Sequence, residues 1–213
     1  MTKTSMKYPV SVISGLLFMV IFWTFTGIAI YYYPGNYNPL TNWMSDLGHM
    51  ELNPKGHIYF NIGCIISGIL LVPFFIGLYE WYIGERRNVI LTIMTQIAGV
   101  YSGFAMVMIG VFPEHYWEIH IFWAIMLFTT TILTFILPSL ALYKYKFTRN
   151  IAIYGFAATV VNLVLWLFIY PVLEWTTIIA SFGFIGLIIH SMYKRIDKLR
   201  AIRLSLRSIK VKK

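Results

Sequence analysis

Hydrophobic residues in this chain come in long unbroken runs. They neither alternate as in a strand nor keep to one face as in a surface helix. Six runs stand out, at residues 10–33, 57–83, 89–111, 119–143, 151–170 and 175–193. A helix needs about 20 mainly apolar residues to cross the hydrocarbon core, and each run reaches about that length. The pattern predicts an all-α membrane protein of six transmembrane helices, arranged as a bundle of three helical hairpins. Each outward-running span ends in an aromatic-proline pair: Tyr33-Pro34, Phe112-Pro113 and Tyr170-Pro171. Proline stops a helix, and the aromatic ring suits the interface where the helix leaves lipid. The first two returning spans also match each other. One opens with His57, contains Pro73 and closes with Leu78-Tyr79; the other opens with His120, contains Pro138 and closes with Leu142-Tyr143. These correspondences read as a weak internal repeat.

Composition agrees, because 59% hydrophobic and 12% charged residues leave more apolar surface than a soluble domain of this size can hide. The net charge of +9 would suit a nucleic-acid partner, but its placement argues against one. Lys3 and Lys7 precede the first span, Arg86 and Arg87 follow the second, and Lys144, Lys146 and Arg149 follow the fourth. The other basic residues follow the sixth span, except Lys55. Positive charge stays in the cytoplasm, so both termini are expected inside the cell membrane, N-in and C-in. The first run is too long for a signal-peptide core and no small-residue cleavage site follows it, so it reads as a retained span. Residues 1–193 form the six-helix domain on this reading. Residues 194–213 form a basic tail, in which Ile196, Leu199, Ile202, Leu206 and Ile209 recur at helical spacing. Such an amphipathic helix suits the anionic inner leaflet. The only cysteine, Cys64, lies within the second span, which excludes an intrachain disulfide.

Acids and histidines show the opposite bias. Asp46, Glu51, Glu114, Glu118 and Glu174 fall on the outer side with His49, His57, His115 and His120. The longest outer segment carries Asn38-Pro39 and ends at Gly48, residues that suit the start and the stop of a helix. A short amphipathic outer helix is expected there, with Leu40, Trp43, Met44 and Leu47 on one face and Asn42, Ser45 and Asp46 on the other. In the second span Asn61 lies one turn from His57, at a depth where a bare amide needs a partner. Asn42, Ser45, Asp46, His57, Asn61, Glu114 and His120 form the candidate outer polar site. Asp46, His57, Glu114 and His120 also have the donor types for a divalent metal such as zinc, with an open position for water. No HExxH or comparably tight ligand spacing accompanies them. Asn162 and Gln96, inside spans, are expected to bond between helices, and Glu80 to pair with Arg86 or Arg87.

At these motifs the chain resembles a prokaryotic membrane family known as domain of unknown function 998. The resemblance rests on Asn42-Trp43-Met44-Ser45-Asp46-Leu47-Gly48, Asn53-Pro54, Phe60-Asn61-Ile62-Gly63 with Gly68, Gly77-Leu78-Tyr79, Gly110-Val111-Phe112-Pro113-Glu114 and His120. It covers residues 38–143 by motif and the last two spans by hydropathy alone. It implies a six-helix membrane fold and carries no activity with it.

Three function classes follow. No P-loop, nucleophile elbow or other catalytic motif is present. The first class is therefore a non-catalytic component that binds membrane lipid or assists a larger complex, whose protein partners the sequence does not identify. The second is a metal-dependent hydrolase acting on a lipid or lipid-linked substrate at the outer face. The third is a small transporter, which the near absence of charge at mid-depth disfavours.

Overall fold

The computed structural model describes residues 9–81 and 85–211, without the side chains of 80–81 and 196–211. Six helices run through them: α1 (Val10–Tyr31), α2 (His57–Ile76), α3 (Arg86–Val111), α4 (Trp117–Leu142), α5 (Arg149–Phe168) and α6 (Pro171–Val211). Each is long and apolar enough to cross a membrane, and no strand occurs among the described residues. The chain is a multi-pass membrane protein. Each helix packs against the next in sequence, and α1 packs against α6, so the bundle closes into a ring. Three connections, α1–α2, α3–α4 and α5–α6, lie at the distal end, opposite both termini.

Polarity is distributed as lipid demands. Leu16, Val20, Ile97, Val160 and Leu167 are exposed, whereas Thr26, Ser67, Thr95, Ser139, Thr159 and Asn162 are buried. Several of the buried hydroxyls bond to the carbonyl four residues back: Thr95 to Leu91, Ser139 to Phe135 and Thr159 to Gly155. A hydroxyl inside the bundle is thereby satisfied within its own helix. Two amides bond between helices, Gln96 Nε2 to the Ile76 carbonyl and Asn162 Nδ2 to that of Phe128. The small residues of α2 and α3 face each other, and a Cβ on Gly68 would come within 2.5 Å of the Gly103 carbonyl. Close backbone approach inside one bundle is thus their use.

Helix ends follow local chemistry. Pro171 opens α6, a first-turn position where its missing N–H costs nothing. Before it, Ile169 ends α5 in the left-handed region at φ 38°. α6 begins four residues before the expected span and continues without a break to Val211, so the basic tail prolongs the last span. Lys3, Lys7, the Glu80 side chain and the apolar stripe of the tail lie outside the described residues.

The outer amphipathic helix expected up to Gly48 does not form. The chain makes a turn at Asn38, whose side chain accepts from Leu40 N, and later a single 3-10 turn at Ser45–Gly48. Two backbone N–H groups that a helix would have used go to carboxylates instead. Trp43 N donates to Asp46 Oδ2 at 3.0 Å and Met44 N donates to Glu174 Oε2 at 2.8 Å. The expected apolar face also divides, since Leu40 is exposed while Met44 and Leu47 are buried.

Candidate functional site at the distal mouth

The segment between α1 and α2 folds inward as a plug. Met44 and Leu47 sink into the bundle, where they are among the most deeply buried side chains. Asn53, fully buried, fastens the far side of the plug. Its Nδ2 donates to the carbonyls of Ala29 and Leu47, and its Oδ1 accepts from Gly56 N. Asn61 finds the partner its depth requires, with Nδ2 donating to the Gly48 carbonyl at 3.1 Å. A Cβ on Gly48 would strike that same amide, so glycine is needed for the approach. On the near side, Tyr37 Oη donates to the Trp43 carbonyl at 2.7 Å and accepts from Trp175 Nε1 at 3.2 Å. Loop and α6 are thus joined through an aromatic relay as well as through Glu174.

Three carboxyls meet at this plug: Asp46 within it, Glu114 from the α3–α4 connection and Glu174 from the first turn of α6. Asp46 Oδ2 accepts from Asn42 Nδ2 and Trp43 N. Burial raises its pKa, against the lowering effect of those two bonds. Glu114 lies beside Ser45 and Asp46, and its Oε2 is buried with no hydrogen-bond partner. Burial, then the charge of Asp46, pushes its carboxyl up to about 7. Glu174 accepts from Met44 N through Oε2 only. Protein surrounds it, and the surface it retains opens into two cavities. Tyr33 feels the same cluster: burial first, then Asp46 and Glu114, raises its phenol. Burial raises the Tyr37 phenol well above its ordinary value.

The two cavities share one polar end. An interior cavity of about 120 Å³ runs from Ser45, His120 and Glu174 down to Leu71 and Phe75. A second, of about 390 Å³, lies on the α4, α5 and α6 side, between Trp43, Trp117, Trp166 and Ile169. Ser45, His120 and Glu174 line both, with Ala124 and Phe128 below them. His120 Nδ1 is 2.9 Å from the Phe112 carbonyl. A carbonyl only accepts, so Nδ1 carries the hydrogen and Nε2 is left as an acceptor.

Of the residues expected from sequence, Asn42, Ser45, Asp46, Glu114 and His120 gather at this mouth. Asn61 holds the plug from behind. His57 stands apart, with Nδ1 against the Asn53 carbonyl. The His115 ring lies 6.0 Å from that of His49, and its pKa is lowered by burial and by the charges of His49 and His57. Among the described residues no group of three or more His, Cys, Asp and Glu side chains is placed to hold a metal ion. Glu174, Tyr37 and Trp175 are the additions that the structure makes. A sequence signal for Glu174 existed: a carboxyl follows the distal proline in Pro113-Glu114 and again, three residues on, in Pro171-Val172-Leu173-Glu174.

A family model described as a protein of unknown function, DUF998, matches residues 16–191. The chain belongs to this family. The match takes in most of α1 and all of α5, so DUF998 covers the whole ring and not only the motif-bearing middle. No curated protein and no solved structure matches the chain.

Proposed function

We propose that this DUF998 protein is a non-catalytic membrane component that binds a lipid-like amphiphile. Its hydrocarbon would lie in the aromatic-lined cavities and its head at the carboxyl-bearing mouth. The observation that carries this reading is the shared polar end. Ser45, His120 and Glu174 close two spaces whose walls are otherwise almost wholly apolar. Together the two spaces fall in the range of small-molecule sites, roughly 300–1,000 Å³. Placement of basic residues supports N-in/C-in insertion in the cell membrane, which puts the mouth on the outer side.

The test is mass spectrometry of what the detergent-purified protein releases on denaturation, beside an Ala124→Phe variant. Ala124 touches both cavities and its replacement fills them at their junction. One amphiphile per chain, lost in the variant while the fold and yield are kept, is the expected result. Purified protein that releases none, or a variant that retains as much as wild type, overturns the reading.

A further inference from the structure

The mouth has spent the backbone and amide donors that lie nearest its carboxyls and kept carboxyl acceptors. Trp43 N and Met44 N go to Asp46 and Glu174. The Asn42, Asn53 and Asn61 amides go to Asp46 and to backbone carbonyls. Trp175 Nε1 goes to Tyr37, Tyr37 Oη to the Trp43 carbonyl, and His120 Nδ1 to that of Phe112. What remains is Glu174 Oε1, Glu114 Oε2 and His120 Nε2, while the Ser45 hydroxyl bonds to the Glu114 carboxyl. No lysine or arginine lines either cavity. A salt bridge, Lys144 with Glu85, is at the opposite end of the bundle. Glu114 Oε2, buried and unpartnered, is an acceptor waiting for a donor.

A phosphate or carboxylate head would bring only acceptors and negative charge to such a site. An ammonium brings three donors, no acceptor and the missing positive charge. The indoles of Trp43, Trp117 and Trp166 around the larger cavity add faces that attract a cation. We infer that the distal cavity takes a single-chain amphiphile with a primary ammonium head, which Glu174 and Glu114 hold by charge-assisted hydrogen bonds. This rests on the amphiphile reading above and names the ligand's chemistry.

The experiment titrates the delipidated full-length protein, in a non-ionic detergent, with dodecylamine and with dodecanol, following tryptophan fluorescence. The two ligands share one tail and differ in the head. The amine is expected to bind about tenfold or more tightly than the alcohol, the worth of one good charge-assisted bond. Glu174→Gln keeps an oxygen for Met44 N, and Glu114→Gln removes no existing bond of Oε2. Each is expected to abolish most of the amine's advantage over dodecanol. Equal binding of amine and alcohol overturns the ammonium assignment and leaves the amphiphile reading standing. Binding of neither overturns both. An amine preference that survives both substitutions overturns the assignment to these carboxyls.

Discussion

Glu114 is the residue whose chemistry is set furthest from its ordinary behaviour by its place in the loop. Proline precedes it, Asp46 and Ser45 face it, and one of its oxygens has no partner. Its carboxyl titrates at about 7 in the folded protein against an ordinary 4.5. Between those values the folded chain holds a proton that the unfolded chain has released, so stability declines as pH rises through the window. Glu114→Gln removes the titration. The loss of thermal stability between about pH 5 and about pH 8 should then shrink by about 1 kcal/mol, a figure reduced for the solvent that still reaches the group. Melting curves of the two proteins in detergent check this, and parallel pH profiles would refute it. The neighbouring residues show what a sequence reveals at this scale. Residue type and side of the membrane were enough to bring Asn42, Ser45, Asp46, Glu114 and His120 forward. They could not tell that His57 turns to the Asn53 carbonyl and away from the carboxyls, because the first turn of a span offers every direction. Nor could they show that Asn61 serves the Gly48 carbonyl.

Among the elements, the six spans were legible because hydrocarbon thickness imposes one length on all of them. The plug was not. Asn38, Pro39 and Gly48 carry helix punctuation, yet the local preference loses to two carboxylates, one of them Glu174, 130 residues away from Met44. A window of neighbouring residues contains no sign of that contact. The α5–α6 junction tests a different local rule. Ile169 is exposed and sits at φ 38°, where a β-branched residue is strained. Ile169→Gly is expected to raise stability by about 1 kcal/mol, since the strain is relieved and little burial is lost. Gly68→Ala should act in the opposite sense and cost about 2 kcal/mol or more, because its Cβ meets the Gly103 backbone and α2 must move off α3. Thermal unfolding of both variants decides the matter. A stabilised Gly68→Ala, or a destabilised Ile169→Gly, would contradict the packing described here.

For the molecule as a whole, the closed ring gives the distal mouth its meaning, and the meaning depends on which side of the membrane it faces. Six crossings put both termini on one face whatever the orientation, so the fold alone leaves two possibilities. Charge separates them. The connections on the side of the termini hold Arg86, Arg87, Lys144, Lys146 and Arg149, whereas the distal connections hold Lys55 as their basic residue among Asp46, Glu114 and Glu174. Only short-loop lysine and arginine count strongly in setting orientation, and they lie almost entirely on the proximal side. The chain lends itself to a direct test because its one cysteine, Cys64, is buried. A membrane-impermeant maleimide applied to intact cells should leave the wild type unlabelled. It should label Lys55→Cys, at an exposed distal position, and should reach Lys146→Cys, exposed on the proximal side, only after the cells are broken. The reverse pattern would turn the carboxyl mouth toward the cytoplasm. An ammonium-headed amphiphile would then have to come from the inner leaflet, and the basic tail that prolongs α6 would lie on the same side as neither.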